Sequence, residues 1–262
     1  MIAALRLQDE EADALFSRLT AEAGLDPKDH WVGGYAAYEW AHLRHVLDAY
    51  AVEVAGRDVL EFGCNVGGSL VVLAALGGRV TGVDIDPMMP PIAVANCRRY
   101  GLEAKAVAAM AGQSLPFPDA GFDLIVANSV LEYIDNDALA PTIAEFHRLV
   151  RPGGQLLICG TASRLAPKEN HSGRWLVNYW PKALDRWTGR HLQRGLSPLA
   201  LATALKGRFV PTPDNLAAWS KARVAIHGRL TPAAHIGSAL ARATGLGPGW
   251  ISPTIELLLR RL

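Results

Sequence analysis

"DVLEFGCNVGGSLVVLAALGGRVTGVD" (residues 58–84) contains two short apolar runs, and between them lie a glycine-rich turn and an apolar segment of helical length. The order predicts a strand over 58–62, a helix over 69–76 that Ser69 can cap, and a second strand over 79–84. Such a turn gathers backbone N–H groups and a helix dipole at one point, and glycine lets a ligand approach the backbone closely. That geometry favours a nucleotide-like ligand. A dinucleotide fingerprint requires G-x-G-x-x-G, yet from Gly63 the chain reads Gly-Cys-Asn-Val-Gly-Gly, with Asn65 where the second glycine should stand. There is no G-x-x-x-x-G-K, and Glu61 puts a carboxylate where a pyrophosphate would need space. A negatively charged ligand is disfavoured.

Outward from this unit the same alternation continues. "PPIAVANCRRY" (90–100) reads as helix, "AKAVAA" (104–109) and "FDLIVAN" (122–128) as strands, "DALAPTIAEFHRLV" (137–150) as an amphipathic helix closed by "RPGG", and "QLLICGT" (155–161) as a fifth strand. This is the pattern of a parallel sheet with covering helices. Upstream, "QDEEADALFSRLTAEAG" and "YAAYEWAHLRHVLDAY" have helical periodicity, which makes residues 1–52 a helical cover on a core spanning 53–161. Downstream, 162–262 reads as an acceptor-side insertion, the end of the sheet and closing helices. Within it "SPLALATALKG" has Ser, Pro and Gly at the positions that start and stop a helix. "GRFVPT" and "ARVAIHG" read as late strands, and "ISPTIELLLRRL" as a closing amphipathic helix.

The chain has 262 residues, half of them apolar, enough to bury a full core. Cys64, Cys97 and Cys159 lack metal-type spacing and suit a reducing compartment, so no metal site is expected. No apolar run approaches the roughly 20 residues that span a bilayer, and a cytoplasmic location is expected. The net charge of +1 conceals an asymmetry. Residues 1–163 hold 11 Lys or Arg against 21 Asp or Glu, whereas 164–262 hold 15 against 4. The two parts either attract one another or present a basic surface to a substrate, a partner or a membrane.

"EFGCNVGGS" resembles the first motif of the class I S-adenosylmethionine-dependent methyltransferases, of the type 11-like group. The resemblance covers 58–161 and implies an α/β fold: a Rossmann-like, doubly wound, mostly parallel seven-stranded sheet. It also implies S-adenosyl-L-methionine as cofactor. Glu61 would face its cationic groups, directly or through water, with Gly63, Cys64, Asn65 and Gly67 around its amino-acid portion. Asn65 tolerates the left-handed conformation the turn needs. Asp84 would accept from the ribose hydroxyls, with Ile85 on the adenine face. The family often carries an acid for the adenine amino group, but alignment on "LPFPD" puts Ala111 there, leaving Ala111, Gly112 and Gln113 to hold the ring. Asn128 and Ser129 after strand four would border the methyl group.

The implied activity is methyl transfer to a small-molecule or glycan- or lipid-linked acceptor. Much of the catalysis comes from holding the reactants aligned. A base is needed only if the nucleophile carries a proton; candidates are His171, Glu132 and Tyr133, with His30 a further choice, and each has a structural alternative. Gly33 and Gly34 would let Tyr35 and Tyr38 fold over the cofactor or acceptor, or would simply turn the chain between helices. "ENHSGRWLVNYWPKALDRWTGR" sets Trp175, Tyr179, Trp180 and Trp187 beside Arg174, Lys182, Arg186 and Arg190. That mixture suits an aromatic, sugar-bearing or anionic acceptor, a peripheral membrane contact, or plain packing. The "NSVLE" after strand four lacks the tetrapeptide of base methylases, and the pI near 7.8 is modest, so nucleic acid is disfavoured. The competing reading is a non-catalytic module of the same fold whose basic third engages a partner or membrane.

Overall fold

The computed structural model describes residues 5–110, 113–169, 172–181, 194–212, 215–230, 235, 239 and 247–262. Along the chain come α1 (Glu10–Glu22), α2 (Tyr35–Ala49), β1 (Asp58–Phe62), α3 (Gly68–Ala75), β2 (Arg79–Asp84), α4 (Met89–Arg99), β3 (Lys105–Ala108), β4 (Phe122–Asn128), α5 (Asn136–Leu149) and β5 (Val150–Ala162). They are followed by α6 (Pro198–Leu205), β6 (Phe209–Pro211), α7 (Asn215–His227), α8 (Pro248–Ile251) and β7 (Thr254–Arg261). The seven strands form one sheet in the order β3-β2-β1-β4-β5-β7-β6. β3, β2, β1, β4 and β5 are parallel, while β7 runs antiparallel between β5 and β6. The α/β, doubly wound expectation holds.

Strand alternation assigns each side chain a layer. Val59, Leu124, Val126, Leu157 and Leu258 pack with Leu43 and Leu47 of α2, Leu70 and Leu73 of α3, and Trp219 of α7. Leu60, Ile125, Ala127, Ile158, Leu257 and Leu259 point the other way, onto Leu139, Ile143 and Phe146 of α5 and Leu201 of α6. A fully buried ring such as Phe146 contributes about 2–3 kcal/mol. The N-terminal cover is fastened by Arg99, which gives Asp13 a 2.6 Å hydrogen bond and lies 4.1 Å over the Phe16 ring. Asp9 caps α1 through Ala12 N at 2.9 Å, and Ser197 caps α6.

Three expectations are corrected. Residues 254–261 are a strand, because five consecutive buried residues, Ile255 to Leu259, are covered on both sheet faces; such a strand has no period of two and imitates a helix. "ARVAIHG" belongs to α7, whose Trp219 and Ala222 are buried one helical turn apart, a spacing invisible from 222 onward alone. Ser69 is not a cap: Gly67 occupies that position, with φ of +82°, and Ser69 is buried in the first turn of α3. A Cβ on Gly67 would lie 2.8 Å from Ala93 Cα, so the turn and α4 fit only with glycine.

Candidate functional site

Four amides of the turn after β1 donate within the protein. Gly63 N and Cys64 N both donate to Val83 O, at 2.8 and 2.9 Å, Asn65 N donates to Asp84 Oδ2 at 2.8 Å, and Gly67 N to Cys64 O at 2.8 Å. These amides form no anion-binding nest, in keeping with the missing second glycine. Asn65 has a φ of +45°, as expected of a residue tolerant of that conformation. Cys64 is buried, so only its backbone borders the site. Asp84 also accepts from Asp86 N at 3.0 Å, which fixes the carboxylate while leaving lone pairs directed outward. Ile85, Met88 and Met110 stand exposed beside it, an apolar surface fit for a flat ring. Gln113 is exposed, whereas Ala111 and Gly112 lie outside the described residues.

Glu61, beneath the turn, is 2% exposed. Burial raises its carboxyl well above the ordinary range, a hydrogen bond from Ser69 opposes this, and Glu39 and Asp84 raise it further. Its Oε2 has no hydrogen-bond partner. A buried carboxylate oxygen left this way is costly unless a donor or cation arrives. Asn128, ending β4, donates to Ser69 Oγ at 3.0 Å and also bonds Glu39 of α2, which Tyr35 bonds as well. The result is one hydrogen-bonded chain: Tyr35, Glu39, Asn128, Ser69, Glu61. Burial pushes Glu39 up to about 7 despite its two donors. Tyr35 sits directly on the turn, because a Cβ on Gly68 would lie 2.5 Å from its ring.

Beyond Asn128 opens a cleft of about 720 Å³. Its walls are Trp31, Tyr35, Tyr38, Glu39 and His42 on the α2 side, Arg223 and His227 of α7, and Asn128, Ser129, Tyr133, Cys159, Gly160 and Glu256 at the strand ends. Tyr35 and Tyr38 stack at 6.1 Å, Trp31 meets Tyr38 edge-on at 5.0 Å, and His30 packs on both Trp31 and Tyr38. Gly33 and Gly34 form the turn into α2, Gly34 being its N-cap.

Among the expected bases, Tyr133 lines the cleft, and burial followed by Glu132 pushes its hydroxyl to about 12. Glu132 is buried and accepts from Ala162 N at 3.1 Å, tying the turn after β4 to β5. His171 lies outside the described residues, as do Lys182, Arg186, Trp187 and Arg190. Trp175 and Tyr179 are exposed, and Tyr179 donates to Leu165 O at 2.7 Å. Neither they nor Arg174 or Trp180 belong to the cleft lining, which α2 and α7 supply instead. The residues missed by sequence reasoning are Glu39, Ser69, Arg223 and Glu256. Glu39 did carry a signal: it occupies the face of α2 that Ala36, Leu43 and Val46 bury.

Residues 59–154 match a family described as a methyltransferase domain. Over 119 residues the chain is 33% identical to a demethylmenaquinone methyltransferase of Tropheryma whipplei (strain Twist), 45% of this chain and 48% of that one. Over 156 residues it is 30% identical to a ubiquinone biosynthesis O-methyltransferase of Maricaulis maris (strain MCS10), 58% of each. The chain spans about half the length of the curated relatives it matches. An S-adenosylmethionine-dependent methyltransferase structure from Mesorhizobium loti superposes with a TM-score of 0.54 at 20% identity, over 85% of this chain and 97% of that one, a likeness of fold.

Proposed function

With residues 59–154 forming a class I methyltransferase domain, we propose that the chain transfers a methyl group from S-adenosyl-L-methionine to a small-molecule acceptor. The single observation that carries this reading is Glu61: a buried carboxylate with one unpartnered oxygen, under a turn in which Gly63, Cys64, Asn65 and Gly67 spend their amides within the protein. Such a site rejects a pyrophosphate and accepts a cation. The residues fit the cofactor along its length. Glu61 meets its positive groups, Asp84 has lone pairs for the two ribose hydroxyls, and Ile85 and Met88 offer the apolar face for adenine. Gln113, with Ala111 and Gly112, is our candidate for the ring edge. When bound, the cofactor supplies an electrophilic methyl carbon; the protein's part is to align the acceptor and exclude water.

Both curated relatives are named for small-molecule chemistry, demethylmenaquinone and ubiquinone biosynthesis. The matched residues stop at 154, however, and α2, α7 and β7, which wall the cleft, lie outside them. Acceptor identity therefore resides in this chain's own walls. Tyr133 and Glu132 remain candidates near the transferred methyl, and three buried free thiols suit a reducing compartment such as the cytoplasm. No described helix is long and apolar enough to cross a membrane.

Calorimetric titration with S-adenosylmethionine and with S-adenosylhomocysteine tests the reading. Saturable binding of both is expected; binding of neither, or preferential binding of NAD(H), overturns it.

A further inference from the structure

The sheet order divides the C-terminal strand ends into two halves. Glu61 and Asp84 end β1 and β2, the cofactor half, while the cleft opens over β4, β5 and β7. Glu39 is bonded to Asn128 at the boundary between them. Cys159, the last β5 residue in register with β4, lines the cleft, and its thiol is raised by burial and then by Glu256, Glu39 and Glu61. Arg223 is the guanidinium among the described residues of the cleft wall, and it is paired with Glu256. Tyr50 donates to the Glu256 carbonyl at 3.4 Å, leaving Glu256 Oε1 buried without a partner of its own. His227, also in the wall, is lowered by burial and then by Arg223 and His42. Once Glu61 is matched by the cofactor and Glu256 by Arg223, one carboxylate, Glu39, is left over.

We propose, on the premise of the methyltransferase reading, that this cleft takes an acceptor bearing a primary or secondary amine, held as its ammonium against Glu39 under the Trp31–Tyr38 aromatic wall. An anionic acceptor would add a further negative charge beside buried carboxylates. A cation finds both a counter-charge and aromatic faces. The same contact prepares the nucleophile. Glu39 takes one proton from the ammonium and leaves a neutral amine; its lone pair forms the new bond to the methyl carbon as the carbon–sulfur bond breaks, the pair going to sulfur. The products are a methylated ammonium, a neutral thioether and protonated Glu39, which returns its proton to solvent through the cleft mouth.

The test uses the whole chain saturated with S-adenosylhomocysteine and titrates it calorimetrically with benzylammonium, benzyl alcohol and benzoate. Benzylammonium is expected to bind roughly tenfold or more tightly than the other two, a preference of the size one desolvated charge contact supplies. Glu39→Gln should abolish that preference, and Trp31→Ala, a change at an exposed ring, should weaken it while leaving the fold intact. Equal or tighter binding of benzoate or the alcohol, no benzylammonium binding, or a Glu39→Gln protein that keeps the preference overturns the inference. Should wild-type protein fail to bind S-adenosylhomocysteine yet still prefer benzylammonium, the cofactor reading falls and the amine site stands.

Discussion

At the N-terminal edge of the sheet Asp58 receives Arg79 at 2.7 Å and Arg151 at 2.9 Å, and Asp123 receives Arg151 at 2.6 Å. Towards the C-terminal edge Glu39, Glu61 and Glu256 are all at most 3% exposed, and Arg223 pairs with Glu256. The hydrogen bonds from Arg79 and Arg151 hold Asp58 down at about 2, whereas burial holds Glu39 at about 7. The same chemical group is thus an ion-pair fastening at one end and a deeply buried acid at the other. Burying the second set costs the fold stability.

The contrast can be broken most severely at Glu61. Replacing it with Gln should weaken S-adenosylmethionine binding by about 3–5 kcal/mol, the cost of leaving a buried cation unmatched, while the ligand-free protein melts no lower than wild type. Calorimetry and thermal denaturation together decide it, and a large fall in melting temperature without loss of affinity reverses the assignment. Next is the pH response. Glu39 has a raised folded value, so the stability from keeping it protonated is whole below 4.5 and is lost as pH rises through about 7. Glu39 should therefore contribute a loss of about 3 kcal/mol or less between about pH 5 and pH 8 in the ligand-free protein, and Glu39→Gln should make the slope shallower, leaving the part that the raised Glu61 and Glu256 supply. Asp58 behaves oppositely: its contribution is present above 3.8 and is lost as pH falls towards 2.

Asp84→Ala should weaken cofactor affinity by about 1–3 kcal/mol through loss of a charged acceptor, read by the same titration. An unchanged affinity would remove Asp84 from the ribose. The smallest effect belongs to the fastened edge. Asp58→Ala should destabilise the protein by about 1 kcal/mol at most, since its partners are well exposed, and leave cofactor affinity unchanged. A loss of binding there would dissolve the distinction between the edges.

The β-α-β unit, the cap Ser197 and the placing of Glu61 and Asp84 at strand ends were legible in the chain because local chemistry decides them: glycine at a left-handed turn, a short polar side chain at a helix start, an acid at a strand end. Where tertiary cover decides, sequence misled. β7 is apolar on both faces because helices lie on both, and α7 shows its helical spacing only once Trp219 is counted. Ser69 was placed as a cap by its type, yet its hydroxyl is drawn inward by Glu61 and Asn128. The cleft wall was hard to read for the same reason: Trp175 and Tyr179 advertise themselves in sequence yet do not line it, whereas Glu39, which does, shows only as an acid on a buried helix face.

The Asn128 carboxamide joining the two acids has an electrical consequence. Hydroxyls such as Ser69 can pass a proton onward, but an amide donating towards both Glu39 and Ser69 cannot, so the linkage is mechanically continuous and protonically insulating. Each acid therefore exchanges its proton along its own route, although the charge on Glu39 still acts on Glu61 through space.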